Sequence, residues 1–164
     1  MSEEMAAPVE VRPAVLDDVR AIGKLWSELQ VVSERHQPSL RPHRHGEEWY
    51  REFIEMQCLE EAAAVLVAEV GGEVVGYILS QVLLRPTLVD GRIGFIADVC
   101  VTSRVRGRGI GTRLYSEAVR WFKKRGVQAL EVNVVFGSGE ADDFWSGKGF
   151  KDVIRTLRLE LEEE

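Results

Sequence analysis

Hydrophobic and polar positions follow two periods along this chain, and the switches between them mark out its elements. VEVRPAV, residues 9–15, steps by two and predicts a short strand. DDVRAIGKLWSELQVV then brings Val19, Ile22, Trp26 and Leu29 round at three- and four-residue steps, which is one apolar helix face. Asp17 and Asp18 fall in its first turn, where the helix dipole favours carboxylates. Pro38 and Pro42 break the pattern after that helix, and a helical period returns over residues 46–60 through Trp49, Phe53 and Met56. AVLVAEV and EVVGYILSQV are strand-like runs around Gly71-Gly72, a pair able to take the positive φ that a two-residue hairpin turn demands. RIGFIADVCV, residues 92–101, is a further strand. Ile110, Leu114, Ala118 and Phe122, with Val119, form a helix face assigned to the core, and Gly126 ends that helix. QALEVNVVF reads as a strand, ADDFWS as a short helix and VIRTLRLEL as a final alternating strand. The order predicts one mixed α/β domain over residues 1–164, without repeats or linkers.

Composition narrows this only a little. With 164 residues and 45% hydrophobic content, one substantial core fits and two do not. The net charge of -6 lies entirely in Glu3, Glu4, Glu160, Glu162, Glu163 and Glu164, so the body of the chain is neutral. Residues 104–125 depart from that balance, setting Arg104, Arg106, Arg108, Arg113, Arg120, Lys123, Lys124 and Arg125 against Glu117 alone, which predicts a local anion site. Cys58 and Cys100 are too few and too far apart for a disulfide framework or zinc spacing and read as reduced thiols. The acidic MSEEMAA start lacks the apolar run of a signal peptide, and VVGYILSQVLL is too short to span a bilayer, so a cytoplasmic protein with no membrane partner is expected. His36, His43 and His45 lie in the proline-broken stretch with no accompanying ligand spacing; they are read as exposed loop residues, and no metal is expected.

The candidate chemistry sits in RVRGRGIGTRLY, residues 104–115. Glycine at a strand-to-helix turn lets backbone approach a ligand closely, and the first N–H groups of a helix have no partners within it. With the helix dipole they suit phosphate. Gly107, Gly109 and Gly111 follow G-x-G-x-G, not the dinucleotide spacing G-x-G-x-x-G, and Gly147-Lys148-Gly149 does not complete a Walker pattern.

These residues, with their context, resemble the GCN5-related N-acetyltransferases. Arg106, Gly109 and Gly111 match the signature [RQ]-x-x-G-x-[GA] after Val99-Cys100-Val101, and the upstream VLVAEVGGEVVGYI and downstream FWSGKGF are also similar to the family, so the likeness runs from Val9 almost to the end. The resemblance implies a mostly antiparallel twisted sheet with helices on both faces, a motif core over residues 92–150 and an acceptor side over roughly 30–60. It implies acetyl-CoA as co-substrate, its pyrophosphate held by backbone N–H groups of Arg106, Gly107, Arg108, Gly109, Ile110, Gly111 and Thr112. It further implies that the pantetheine arm lies along Val99, Cys100 and Val101 and that an amine attacks directly in a ternary complex.

An alkylamine of pKa about 10.4 is mostly protonated at neutral pH, and removing its proton costs about 4 to 5 kcal/mol, so a base is useful. Family members often place a glutamate here beside an aspartate; this chain has Ala97-Asp98, and Asp98 is the candidate base, with a purely structural carboxylate as the other reading. Trp145 stands where the family often has an acid tyrosine, and Ser138 where it often has a cofactor-binding asparagine; both are assigned to the cofactor site. Tyr115, Tyr77 or solvent could protonate the thiolate, which as a fair leaving group could also need no acid. Trp49, Tyr50 and Tyr77 are assigned to the acceptor cleft, and homodimerisation through the C-terminal strand is a further expectation. Three functions stay open: an N-acetyltransferase acting on a small-molecule or peptide amine, a non-catalytic acyl-CoA-binding module, and, last, a nucleic-acid patch, which lacks interleaved aromatics.

Overall fold

The computed structural model describes residues 7–161. The acidic residues Glu3, Glu4 and Glu162 to Glu164, and most of the MSEEMAA start, lie outside that range. Strand β1 (Val9–Pro13) leads through a 3-10 turn into helix α1 (Val19–His36), and helix α2 (Gly46–Leu59) precedes the long hairpin of β2 (Ala63–Val70) and β3 (Glu73–Leu84). Strand β4 (Arg92–Val101), helix α3 (Ile110–Lys124), strand β5 (Ala129–Val132) and helix α4 (Gly139–Ser146) complete the order. One sheet runs β1-β2-β3-β4-β5, antiparallel throughout except for the parallel pair β4–β5. Gly71 and Gly72 take φ of 58° and 82°, which is what a type I′ hairpin turn requires at both central positions.

The sheet separates two cores. On one face Ile110, Leu114, Ala118 and Phe122 of α3, all at a four-residue step, pack with Ile78, Ile96 and Trp145. Each large side chain so buried contributes about 1.5–3 kcal/mol, enough to hold a helix whose first turn is glycine-rich. Val119 is only half-buried at the margin. On the other face Val19, Ile22 and Leu25 of α1 meet Tyr50 and Ile54 of α2 and Tyr77 and Leu79 of β3.

Three sequence expectations need correction. Helix α2 buries Tyr50 and Ile54, not Trp49 and Met56, which are 53% and 61% exposed; the helix is rotated by one position from the expected face because Gly23 of α1 admits it closely on that side, against Arg51. Strand β5 covers only Ala129–Val132, since the chain from Asn133 onward diverges from β4. The final strand is absent as a paired element: residues 151–161 have no regular structure and are exposed at every position, because no strand among the described residues lies beside them.

Candidate functional site

A β-bulge decides where the candidate base points. In the β3–β4 pair Leu79 stands opposite Asp98 and Ser80 opposite Ile96, which leaves Ala97 without a partner. A strand normally sends alternate side chains to opposite faces, and one extra residue reverses the order beyond it. Ile96 therefore lies in the α3-side core, while Asp98 turns to the α1–α2 side with Ala97 and Cys100, and Val99 and Val101 return to the α3 side.

There Asp98 meets α2. The Tyr50 hydroxyl donates to Asp98 Oδ2 at 2.7 Å and lies 3.1 Å from the Tyr77 hydroxyl. Tyr50 is fixed by stacking on Trp26 at 4.9 Å. Asp98 Oδ1 receives no hydrogen bond from the described residues, and the residue keeps partial exposure. Burial pushes the Asp98 carboxyl up to about 6, against the opposing hydrogen bond from Tyr50. Burial also raises both tyrosines well above the ordinary phenol range, with the Tyr77 and Asp98 charges reinforcing it at Tyr50, so both stay protonated donors.

Beside this carboxylate the sheet opens. Strand β5 pairs with β4 only from Ile93↔Ala129 to Ile96↔Val132, so β4 from Ala97 to Val101 has a strand on its β3 side alone among the described residues. The free edge runs directly into the glycine loop. Val101 carbonyl accepts from Arg106 Nε at 3.1 Å; Gly107 follows at φ 80°, and Gly109 at φ 71° is the left-handed cap from which α3 starts. A Cβ at either glycine would meet nothing within 4 Å, so backbone conformation and open space in front of the loop, not crowding, explain the residue type. No side chain caps the first turn of α3 and no acid lies in it, so the N–H groups of Ile110, Gly111 and Thr112 remain available to an anion.

The basic residues differ in their engagement. Arg104 pairs with Glu73, Arg106 lies 4.0 Å from Glu140, and Arg108 donates to Ala7 carbonyl at 3.1 Å. Lys148, inside the FWSGKGF stretch but unassigned from sequence, donates to Thr112 Oγ1 at 3.1 Å and adds a cation at the mouth of the loop. Its position is legible in sequence only as a lysine between two glycines; nothing in the spacing says which helix it reaches.

Trp145 is 6% exposed and packs on Phe144, Phe150 and Tyr115 at 4.8, 5.1 and 6.0 Å. Tyr115 thus joins the α3-side cluster with Trp145, while Asp98 faces the other side with Tyr50; the two candidate catalytic residues are not brought into one hydrogen-bonded group. Ser138, also buried, starts α4. Cys100 Sγ donates to Leu25 carbonyl at 3.2 Å, so only its backbone lies along the edge. Tyr77 is fully buried and Tyr50 9% exposed, and their hydroxyls adjoin one another beside Asp98. Trp49 is exposed and stacks on His43 at 4.6 Å, with His45 beside it.

Comparison with known proteins bears on the family and the fold. The chain is 28% identical over 109 residues to an uncharacterised N-acetyltransferase of Methanocaldococcus jannaschii, a match covering 65% of this chain and 48% of the relative. It is 33% identical over 112 residues to an N-alpha-acetyltransferase of Sulfurisphaera tokodaii, covering 63% and 65%. The chain thus matches about half to two thirds of the length of these relatives. A predicted acetyltransferase from Clostridium acetobutylicum, solved with acetyl-CoA, superposes with a TM-score of 0.75 over 93% of this chain and 96% of the other at 16% identity, a likeness of fold alone. The profile of the Acetyltransferase (GNAT) family matches residues 28–150, well over half of the chain, and takes in the bulged strand, the free edge and the glycine loop together: the protein belongs to this family.

Proposed function

We propose that the chain is an acetyl-CoA-dependent N-acetyltransferase acting on the primary amine of a small-molecule or peptide acceptor, by direct attack in a ternary complex. One observation carries the reading: a single opening in the sheet brings together an unpaired stretch of β4, an uncapped helix start behind two left-handed glycines, and a carboxylate of raised pKa. Acetyl-CoA, when bound, supplies the thioester. The backbone of residues 106–112 suits its pyrophosphate, with Lys148 adding charge, and Val99 to Val101 offer strand-like backbone partners for the arm. The Ala97 backbone, at the bulge next to Asp98, is a candidate fixed donor on the strand that carries the base, and a fixed donor at a developing oxyanion contributes roughly 10²- to 10³-fold.

Asp98 Oδ1 is the oxygen that takes the amine proton. Near neutral pH it is largely ionised, and Tyr50 engages Oδ2, which leaves Oδ1 without a hydrogen bond from the described residues. Tyr115 is the only phenol on the Trp145 side and is the candidate to return a proton to the leaving thiolate. Trp49, exposed on α2, lines the acceptor side over residues 30–60. The Asp98–Tyr50 pair weighs against a binding module without catalysis, and the engagement of Arg104, Arg106 and Arg108 with the fold's own groups weighs against a nucleic-acid surface. The two free cysteines suit a reducing compartment such as the cytoplasm.

Calorimetric titration with acetyl-CoA, followed by thiol release across an amine panel, tests the reading. Binding with release is expected; absence of binding overturns it. Gly109→Asp is expected to weaken acetyl-CoA at least about 100-fold while melting normally, because aspartate tolerates positive φ but sets a carboxylate against the phosphates.

A further inference from the structure

The connection between α1 and α2 is one-sided in charge: from Arg35 to Gly46 it holds three arginines, three histidines and no acid. Its own backbone orders it. Gln37 N–H donates to Ser33 carbonyl at 2.8 Å, Leu40 N–H to Gln37 carbonyl at 2.9 Å and Gly46 N–H to His43 carbonyl at 2.8 Å. Two contacts place it at the opening of the sheet. Gln37 Nε2 donates to Phe136 carbonyl at 3.1 Å, which ties the connection to the chain that diverges from β4 after β5. Gly46 lies so close to Trp26 that a Cβ there would stand 2.8 Å from the ring; Trp26 stacks on Tyr50, and Tyr50 donates to Asp98. The connection therefore reaches from one bank of the opening to the support of the carboxylate on the other.

Arg35 and Arg41 are exposed and make no hydrogen bond or ion pair with the described residues, whereas Arg104, Arg106 and Arg108 are engaged by the fold itself. Glu34, Glu47 and Glu48 flank the stretch, but none pairs with either arginine: Glu47 accepts from Ser27 at 2.9 Å, and Glu48 lies 3.6 Å from His45. Exposed cations need no internal partner in water. Concentrated at one opening, however, they give it a positive potential that draws in anions and repels cations. A polyamine would be repelled where its amine has to enter.

We propose that the acceptor is an acidic peptide, its amine entering beside Asp98 while carboxylates on the residues that follow pair with Arg35 and Arg41 of the α1–α2 connection. The proposal rests on the acetyltransferase reading for the fate of the amine and on the connection for the acidic residues. Cations spread along a stretch that turns at Pro38 and Pro42 suit carboxylates spread along a chain better than one compact anion. A nucleic acid would match the charge but brings no alkylamine to the carboxylate.

The test measures thiol release from acetyl-CoA at physiological salt, with peptides of one length whose free amine is followed by glutamates, glutamines or lysines. The glutamate peptide is expected to exceed the glutamine peptide at least about 10-fold in kcat/KM, with the lysine peptide lowest and the difference residing in KM. Arg35→Glu with Arg41→Glu is expected to erase or reverse that ratio; both positions are exposed and unpaired, so the double variant should melt normally. Arg20→Glu lies about 22 Å away along α1, beyond the screening length of about 8 Å, and should leave the ratio in place. Equal kcat/KM for the glutamate and glutamine peptides overturns the proposal while leaving the transferase reading standing, and so does a ratio that Arg20→Glu moves as far as the double variant. Should no peptide release thiol, the transferase reading is what fails, and fluorescence anisotropy of an amine-blocked glutamate peptide decides recognition by itself. Binding that the double variant weakens at least about 10-fold supports the proposal. No binding, or tighter binding of a single-stranded oligonucleotide of equal charge, overturns it.

Discussion

Asp98 faces α2 because Ala97 has no partner on β3, and its proton affinity follows from that placement. Asp98→Asn is expected to keep acetyl-CoA affinity and lower kcat by about 10²-fold or more, as removal of a general base does. For the unaltered protein kcat/KM should fall as pH drops through about 6, since the active form is the ionised carboxylate. Tyr50→Phe removes the hydrogen bond that favours that form, so the limb should move to higher pH; a fall in rate with the limb unmoved would make Tyr50 merely structural. Asp98 is legible in sequence as the only acid of its strand. Tyr50 is not legible in this role, because two apolar stripes run along α2 at helical spacing and the chain alone does not say which faces inward. Nor is the bulge, which is a relation between two strands and leaves no mark on either.

At the scale of elements, the site depends on how closely β4, β5 and α3 meet before the sheet opens. Gly94 marks that junction: a Cβ there would lie 2.4 Å from Leu130 Cδ2 and 2.8 Å from Phe122 Cδ1. Leu130 can swing aside, but Phe122 is 1% exposed and cannot. Gly94→Ala should therefore cost about 1–3 kcal/mol in denaturant unfolding, while Gly91→Ala, whose nearest contact is an ordinary 3.6 Å, should stay within about 0.5 kcal/mol. The hairpin around Gly71-Gly72, the limits of β4 and the start and end of α3 are all readable beforehand, since each depends on local glycine chemistry or on an unbroken pattern. Strand β5 is overestimated by that same logic. QALEVNVVF has strand composition to its end, and only the absence of β4 beside Asn133 to Phe136 stops it.

Across the whole molecule, Arg12 of β1 ties the first strand to its neighbours. It donates to Asp18 at 2.7 and 3.0 Å and to Glu69 of β2 at 2.8 and 3.2 Å, while Asp18 also accepts from Val15 N–H at 2.8 Å. Asp18 is 6% exposed, so it serves this junction and not merely the helix dipole for which its place in the sequence suits it. Hydrogen bonding from Arg12 holds the Asp18 carboxyl below its ordinary value of 3.8. Its stabilisation is therefore present above that value and lost as pH falls through the lowered one. Asp18→Asn should be about 1–3 kcal/mol less stable at pH 7, with the gap closing on acidification; a gap constant with pH would deny the ion pair that role. Mixed α/β architecture is legible from element order alone, but the fate of VIRTLRLEL is not, because its alternation names a strand and no neighbour for it. The sheet itself has a consequence for how such a protein can change. Val99 and Val101 look to the α3 side with the loop, and Asp98 looks to the α1–α2 side with Trp49, so the sheet works as a partition. Substitutions in α1, α2 and the turn between them can reshape one side while the other, across five strands, keeps its backbone; under the proposed function, preference for an acceptor and retention of the donor would then be heritable as separate traits.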